Sequence, residues 1–202
     1  MKLRIEPLAR MAGPGHAEVP AGELAVALTV ALAPQQRPNW CWASVTCALA
    51  GWYGDTSWRQ DTLAGRILCP HLAGSPAALL KEERYNQQAP LERTLRYVNC
   101  LAGWSSGRPP FRRLIRELDS GRPLAIAIRW HSGAQHYVVL DGYCRQRRSV
   151  LGADPQAGRF EAGFDDFPRY YRHGGEWMET YWTHHPQQAR LACQGETQHE
   201  QL

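Results

Sequence analysis

The sequence predicts an α+β protein, helices first and antiparallel strands after, on three observations. An Ala-rich, apolar stretch at residues 40–53 (WCWASVTCALAGWY) suits a helix buried on every side. Helical spacing then recurs as far as Leu118. Beyond Gly121 the pattern changes to short β-type runs separated by turn residues, LAIAIRW at 124–130 and HYVVLDGY at 136–143. This change divides a helical part, about 40–120, from a sheet part, about 121–185, within one domain spanning 23–185.

Taken in order, residues 1–22 are rich in Gly, Pro and Ala and read as an irregular lead-in. Residues 24–33 (LAVALTVALA) read as a strand. Their length also suits the apolar core of a signal peptide ending in Ala31-Leu32-Ala33, but Glu6, Glu18 and Glu23 before it and Pro34 after it argue against cleavage. The run PQQRPN at 34–39 breaks the strand, and the buried helix follows. Further helices are predicted at 60–68, 76–85 and 90–99. Another is predicted at 110–118, where PFRRLIREL puts Phe111, Leu114, Ile115 and Leu118 on one face, with Gly121 past the end. Strands are predicted at 124–130, 136–143 and 149–153, and Tyr181 and Trp182 belong to another. The polar, Gln-rich residues 186–202 form a tail expected to fray.

A chain of 202 residues, 44% of them hydrophobic, buries a core without disulfide staples. No apolar run approaches the ~20 residues of a membrane-spanning helix, so no membrane span is expected. The formal charge of +4 is too slight an excess to imply a nucleic-acid partner. Arg145, Arg147 and Arg148 read as a solvated hairpin tip, because little aromatic surface is interleaved with them. The 6 cysteines stand far apart with no CxxC pair, which suits free thiols in a reducing compartment. No metal or other cofactor is expected: there is no HExxH, and neither Cys69-Pro-His71 nor His184-His185 has spaced partners.

Three places concentrate chemistry. The first is QQRPNWCWAS at 35–44, where Cys41 opens a helix and so meets the positive end of its dipole, an arrangement that favours a thiolate. Cys47, on the same helix, reads as a small buried hydrophobe. The second is GRPLAIAIRWHSGAQHYVVLDGY at 121–143. There His136 opens an apolar strand after a Ser-Gly-Ala turn, where a rigid scaffold presents an imidazole to a cleft, whereas His131 reads as an exposed turn residue. The third is LGADP at 151–155. Strand side chains alternate faces, so Asp141, five residues from His136, points away from it, and Asp154 is the preferred partner. A rival nucleophile is Ser105 in GWSSG at 103–107, which matches GxSxG with Asp154 and His173 in permissible order. That elbow needs a strand before it and a helix at once after it. Here helix-like residues precede and Arg108-Pro109-Pro110 follows.

In combination and in this order, Q-x5-C-W-A-S, G-R-P-L-x-I-x-I-x-W, H-Y-V-V-L-D-G-Y and D-P resemble the papain-like cysteine peptidases, in particular the compact bacterial branch of C39-like and effector-type enzymes. The resemblance spans about residues 33–155 and implies a helical lobe packed on an antiparallel β-sheet lobe. Carried over by position, it makes Cys41 the nucleophile, His136 the general base and acid, and Asp154 the group that orients His136. Gln35, six residues before Cys41, becomes the oxyanion-hole donor, beside the Cys41 N–H; Gln36, one residue off that spacing, reads as a loop glutamine. Trp40, Trp42, Trp52 and Trp58 read as packing residues, with Trp40 also a candidate lining of the cleft. The implied reaction is hydrolysis of a protein or peptide substrate through an acyl-enzyme, with no cofactor.

The same chemistry serves amidases, glutamine deamidases and acyl transferases, because an acyl-enzyme does not dictate which amide was attacked. A non-catalytic binding module is the third class, and the presence of Cys, His, Asp and Gln together counts against it. With no recognisable pro-segment or ordinary signal peptide, the sequence resembles bacterial effector or toxin domains. Those are cytoplasmic in the producing cell, are delivered by a dedicated secretion system, and are restrained by a cognate immunity protein.

Overall fold

The computed structural model describes residues 25–70 and 83–186. Its framework is a seven-stranded antiparallel sheet: β1 (Ala25–Ala27), β2 (Leu101–Ser106), β3 (Leu124–Trp130), β4 (Gln135–Cys144), β5 (Ser149–Asp154), β6 (Gly158–Gly163) and β7 (Gly175–Thr183). The strand order is β2-β7-β3-β4-β5-β6. β1 pairs residues 142–144 of β4 and so extends the edge that β3 occupies along residues 135–140.

Four helices cover the sheet: α1 (Cys41–Trp52), α2 (Gln60–Leu68), α3 (Leu91–Tyr97) and α4 (Phe111–Asp119). Alternation along the strands splits the core in two. Ala125, Ala127, Tyr137 and Val139 pack with α1, α2 and α3, whereas Leu124, Ile126, Ile128, Val138 and Leu140 pack with Phe111, Leu114 and Leu118 of α4. The helical part at 40–120 is therefore not one layer, because α4 lies on the face opposite α1–α3. The amphipathic stripe of α4 places it on a sheet but does not say on which side.

α1 is buried nearly all round, as its composition predicts, and its hydroxyls find partners without leaving the core. Ser44 Oγ donates to the Ala33 carbonyl at 2.5 Å, and Thr46 Oγ1 donates to Trp42 O at 2.7 Å. α4 ends as its sequence requires. Gly121 takes φ +73°, with Gly121 N–H donating to Leu118 O and Arg122 N–H to Glu117 O, the paired bonds of a Schellman cap.

Several expectations change. The strand read at 24–33 is confined to Ala25–Ala27. Beyond it the backbone turns to Asp141, whose carbonyl accepts from Leu28 N–H at 2.7 Å and whose carboxylate accepts from Val30 N–H at 2.8 Å. Of the helix read at 76–85, residues 76–82 lie outside the described residues, and Glu83–Tyr85 form one 3-10 turn. The lead-in at 1–22 and tail residues 187–202 also lie outside them. β2 and β6 escaped the sequence reading, because Gly, Ala and Ser dilute their β signal. The residues before Ser106 are thus a strand rather than helix-like.

Candidate active site

Cys41 is the first residue of α1, so its backbone N–H belongs to the turn that has no intrahelical acceptor. No acidic residue in that first turn offsets the positive helix end. The loop leading into it is clamped from both sides. Gln60, from α2, accepts from Gln36 N–H at 2.9 Å and donates to the Pro34 carbonyl at 2.9 Å. On the other side Asn39, Trp40 and Trp42 bond to residues 85–87, with Trp40 Nε1 donating to Tyr85 O and Trp42 Nε1 to Gln87 O, each at 3.0 Å.

His136, near the start of β4, hydrogen-bonds the Cys41 side chain. Its Nε2 lies 2.9 Å from Asp154 Oδ1, at the end of β5, so Nδ1 is the ring nitrogen left for the thiol. Trp130, the last residue of β3, stacks on the imidazole with ring centroids 5.5 Å apart and planes 25° apart. Burial alone would make His136 a weaker base. The hydrogen bond from Asp154 and the contact with Cys41 outweigh it and push the pKa up to about 9. Burial likewise opposes ionisation of Asp154, but His136, the Gln156 N–H and Tyr171 hold its pKa down to about 2. A buried carboxylate against an imidazole, with a thiol on the far side, is a relay that stabilises an imidazolium beside sulfur.

The sequence also matches a known family. The Peptidase_C39 like family matches residues 27–192, most of the chain. The chain belongs to that family. It is a papain-like cysteine peptidase. Among solved structures it is similar to a double glycine motif protease from an AMS/PCAT transporter in complex with the leader peptide, at 14% identity, TM-score 0.45, covering 78% of this chain and 93% of that one. It is also similar to the Pseudomonas avirulence protein AvrPphB, at 10% identity, TM-score 0.35, covering 77% of this chain and 97% of that one. No curated protein matches.

Other site expectations for this C39-like chain fare differently. Gln35 sits beside the loop, its N–H donating to Pro155 O at 3.0 Å. Its side chain is already engaged, with Nε2 donating to Arg37 O at 2.8 Å and Pro38 O at 2.6 Å, while Oε1 is buried without a partner. Both amide hydrogens are thus used inside the loop. Exchanging O and N would set an acceptor against two carbonyls. Trp40, read as a candidate lining of the cleft, is instead a core residue at 2% exposure, with its N–H held by Tyr85 O. Asp141 faces away from His136, as strand parity requires, and pairs with Arg159. Ser105 lies within β2 and not on an elbow, which removes the geometry that the GxSxG reading needs. His131 is an exposed turn residue, and the Arg145–Arg148 turn is a hairpin tip whose cations pair with Asp119, Glu161 and Asp165.

Two residues around Asp154 were not found from sequence. Tyr171 OH and Arg172 Nη1 reach Asp154 Oδ2 at 2.9 and 3.1 Å. They lie in the irregular segment between β6 and β7, and no local pattern announces a contact 17 or 18 residues back along the chain. Among the described residues no group of three or more His, Cys, Asp or Glu is placed to hold a metal ion, and no helix is long and apolar enough to cross a membrane.

Proposed function

We propose that this peptidase cleaves peptide bonds in protein substrates through Cys41, His136 and Asp154. The observation that carries the proposal is His136 itself, buried between the Cys41 side chain and Asp154 Oδ1 at 2.9 Å. With Cys41 as thiolate and His136 as imidazolium, sulfur attacks the carbonyl carbon, and the Cys41 N–H at the α1 terminus donates to the developing oxyanion. His136 gives its proton to the leaving amine as the C–N bond breaks, leaving a thioester. Neutral His136 then takes a proton from water, whose oxygen attacks the thioester, and the acid departs as the thiol reforms. Cys41 and His136 are each 2% exposed, which keeps bulk water from the charged pair. Gln35 serves as a second oxyanion donor by releasing one of its two loop carbonyls.

A bacterial effector or toxin acting on proteins is the setting we favour, on the resemblance of the motif set to effector-type enzymes. Incubation with reduced, denatured casein followed by N-terminal labelling tests the reaction. New N-termini with the native protein and none with Cys41→Ala are expected. Their absence with the native protein, or their persistence in Cys41→Ala, overturns the reading; ammonia release without new N-termini reassigns the chemistry to side-chain amides.

A further inference from the structure

The inference concerns what holds the orienting carboxylate, and it rests on the reading of Cys41, His136 and Asp154 as the reacting unit. Asp154 is buried at the end of β5 and has four partners. Oδ1 accepts from His136 Nε2 at 2.9 Å and Gln156 N–H at 2.6 Å, while Oδ2 accepts from Tyr171 OH at 2.9 Å and Arg172 Nη1 at 3.1 Å. A carboxylate offers about four acceptor directions, so this one is saturated. Rotating it to serve another donor breaks every bond at once.

The two Oδ2 partners are presented by a turn built for the purpose. Tyr171 is wedged among Phe160, Phe167 and Trp130, with ring centroids at 4.8, 5.2 and 6.3 Å. Trp130 is the ring that stacks on His136. Arg172 has φ +50°, a left-handed backbone that a residue with a Cβ adopts only at a cost. Two residues on, Gly174 has φ +66°, and a Cβ there would meet Arg169 O at 2.8 Å and the His131 ring at 2.9 Å. The turn is tied to the end of β3 by His131 N–H donating to Gly174 O at 3.2 Å.

We infer that Tyr171 and Arg172 are positioning residues: together they fix the rotation of Asp154 that aims Oδ1 at His136, and Arg172 limits how tightly that carboxylate holds the imidazolium proton. The tyrosine supplies a neutral hydrogen bond on a ring locked by packing. The arginine supplies a positive charge that competes with His136 for the same carboxylate. The titratable or charged groups around the pair are Cys41 from α1, Asp154 from β5, Tyr171 and Arg172 from the turn, and His173, which meets Trp130 edge-on at 5.8 Å.

The test is the titration of His136 in the full chain, followed by NMR of the imidazole Cε1 and assigned by its loss in His136→Gln. Arg172→Gln removes the competing charge, so the midpoint should rise by about one unit, while Arg172→Lys should stay near the native value. Tyr171→Phe keeps the ring and the charges, so its midpoint should hold. Carbamidomethylation of Cys41 by iodoacetamide at pH 7 should slow about threefold to tenfold in that variant, as the carboxylate gains freedom. An unmoved midpoint in Arg172→Gln, or an unchanged Cys41 rate in Tyr171→Phe, overturns the assignment. A residue with a merely structural role would lower thermal stability and leave both readouts in place. The His136 titration needs no turnover, so failure here is distinct from failure to cleave casein.

Discussion

Two aspartates on neighbouring strands, Asp141 in β4 and Asp154 in β5, are equally buried and are held in nearly the same way, yet only one of them touches a histidine. Asp141 accepts from a backbone N–H, that of Val30, and from both terminal nitrogens of Arg159, with Nη2 at 2.9 Å on Oδ1 and Nη1 on Oδ2. Asp154 also accepts from a backbone N–H and an arginine, but Arg172 reaches it through Nη1 alone, on Oδ2. The difference is one prong of a guanidinium. A bidentate arginine closes Asp141 as a structural pair that ties the N-terminal strand to the sheet. A single contact, supplemented by the neutral Tyr171, leaves Oδ1 of Asp154 for His136. Burial and charge alone do not separate a structural carboxylate from a functional one; the occupancy of its second oxygen does.

The largest effect that tests this contrast is on turnover. Asp154→Ala removes the acceptor that orients and charges His136, and peptide cleavage by the folded variant should fall roughly a thousandfold to ten-thousandfold. Asp154→Asn, which retains an acceptor oxygen for His136, should fall between the alanine variant and the native protein. Initial rates of casein cleavage at equal concentrations of folded protein check the order. Equal loss in both variants would break the assignment of Oδ1 as the feature that matters.

Asp141→Ala should show the opposite profile. Removing one partner of a buried ion pair costs about 3 kcal/mol here, at the low end of the usual range because Arg159 is 26% exposed and can reach water. For a chain of this size that corresponds to a melting temperature lower by roughly 6–12 °C. Cleavage per folded molecule should change little. A large loss of activity at a temperature where the variant is fully folded would erase the distinction between the two aspartates.

How far this contrast was legible in the sequence depends on which contacts are local. Strand parity was enough to turn Asp141 away from His136 and to prefer Asp154, because alternation is a property of the extended backbone itself. Cys41 at a helix start was equally legible, since PQQRPN and the Ala-rich run after it mark that boundary without tertiary help. Tyr171 and Arg172 were not. Their segment has neither period 2 nor period 3.6, and they reach Asp154 only because an aromatic cluster from β3, β6 and the turn folds them back. Gln35 was legible as a position but not as a conformation, because spacing along the chain says nothing about which carbonyls its amide meets. The side of the sheet that α4 takes was hidden for the same reason. Its stripe fits either face, and the choice is made by the strands between which it is inserted.

The smallest effect is graded and concerns pH. The pKa of His136 is raised from its ordinary 6.5 to about 9, so the folded state binds this proton more tightly than the unfolded chain does. The stabilisation is full below 6.5 and is lost as pH rises through about 9. Asp154 is lowered from 3.8 to about 2, so its contribution is full above 3.8 and is lost as pH falls through about 2. The pair therefore stabilises the fold most between these limits, and thermal denaturation of the native protein against His136→Ala should show a difference that shrinks from pH 6.5 to pH 9. Turnover depends on the same proton, because the leaving amine needs an imidazolium donor. Above about 9 the cleavage rate should fall, approaching tenfold per pH unit. An alkaline limb near 6.5 would mean that Asp154 does not hold the His136 proton, and the carboxylate would then be as structural as Asp141.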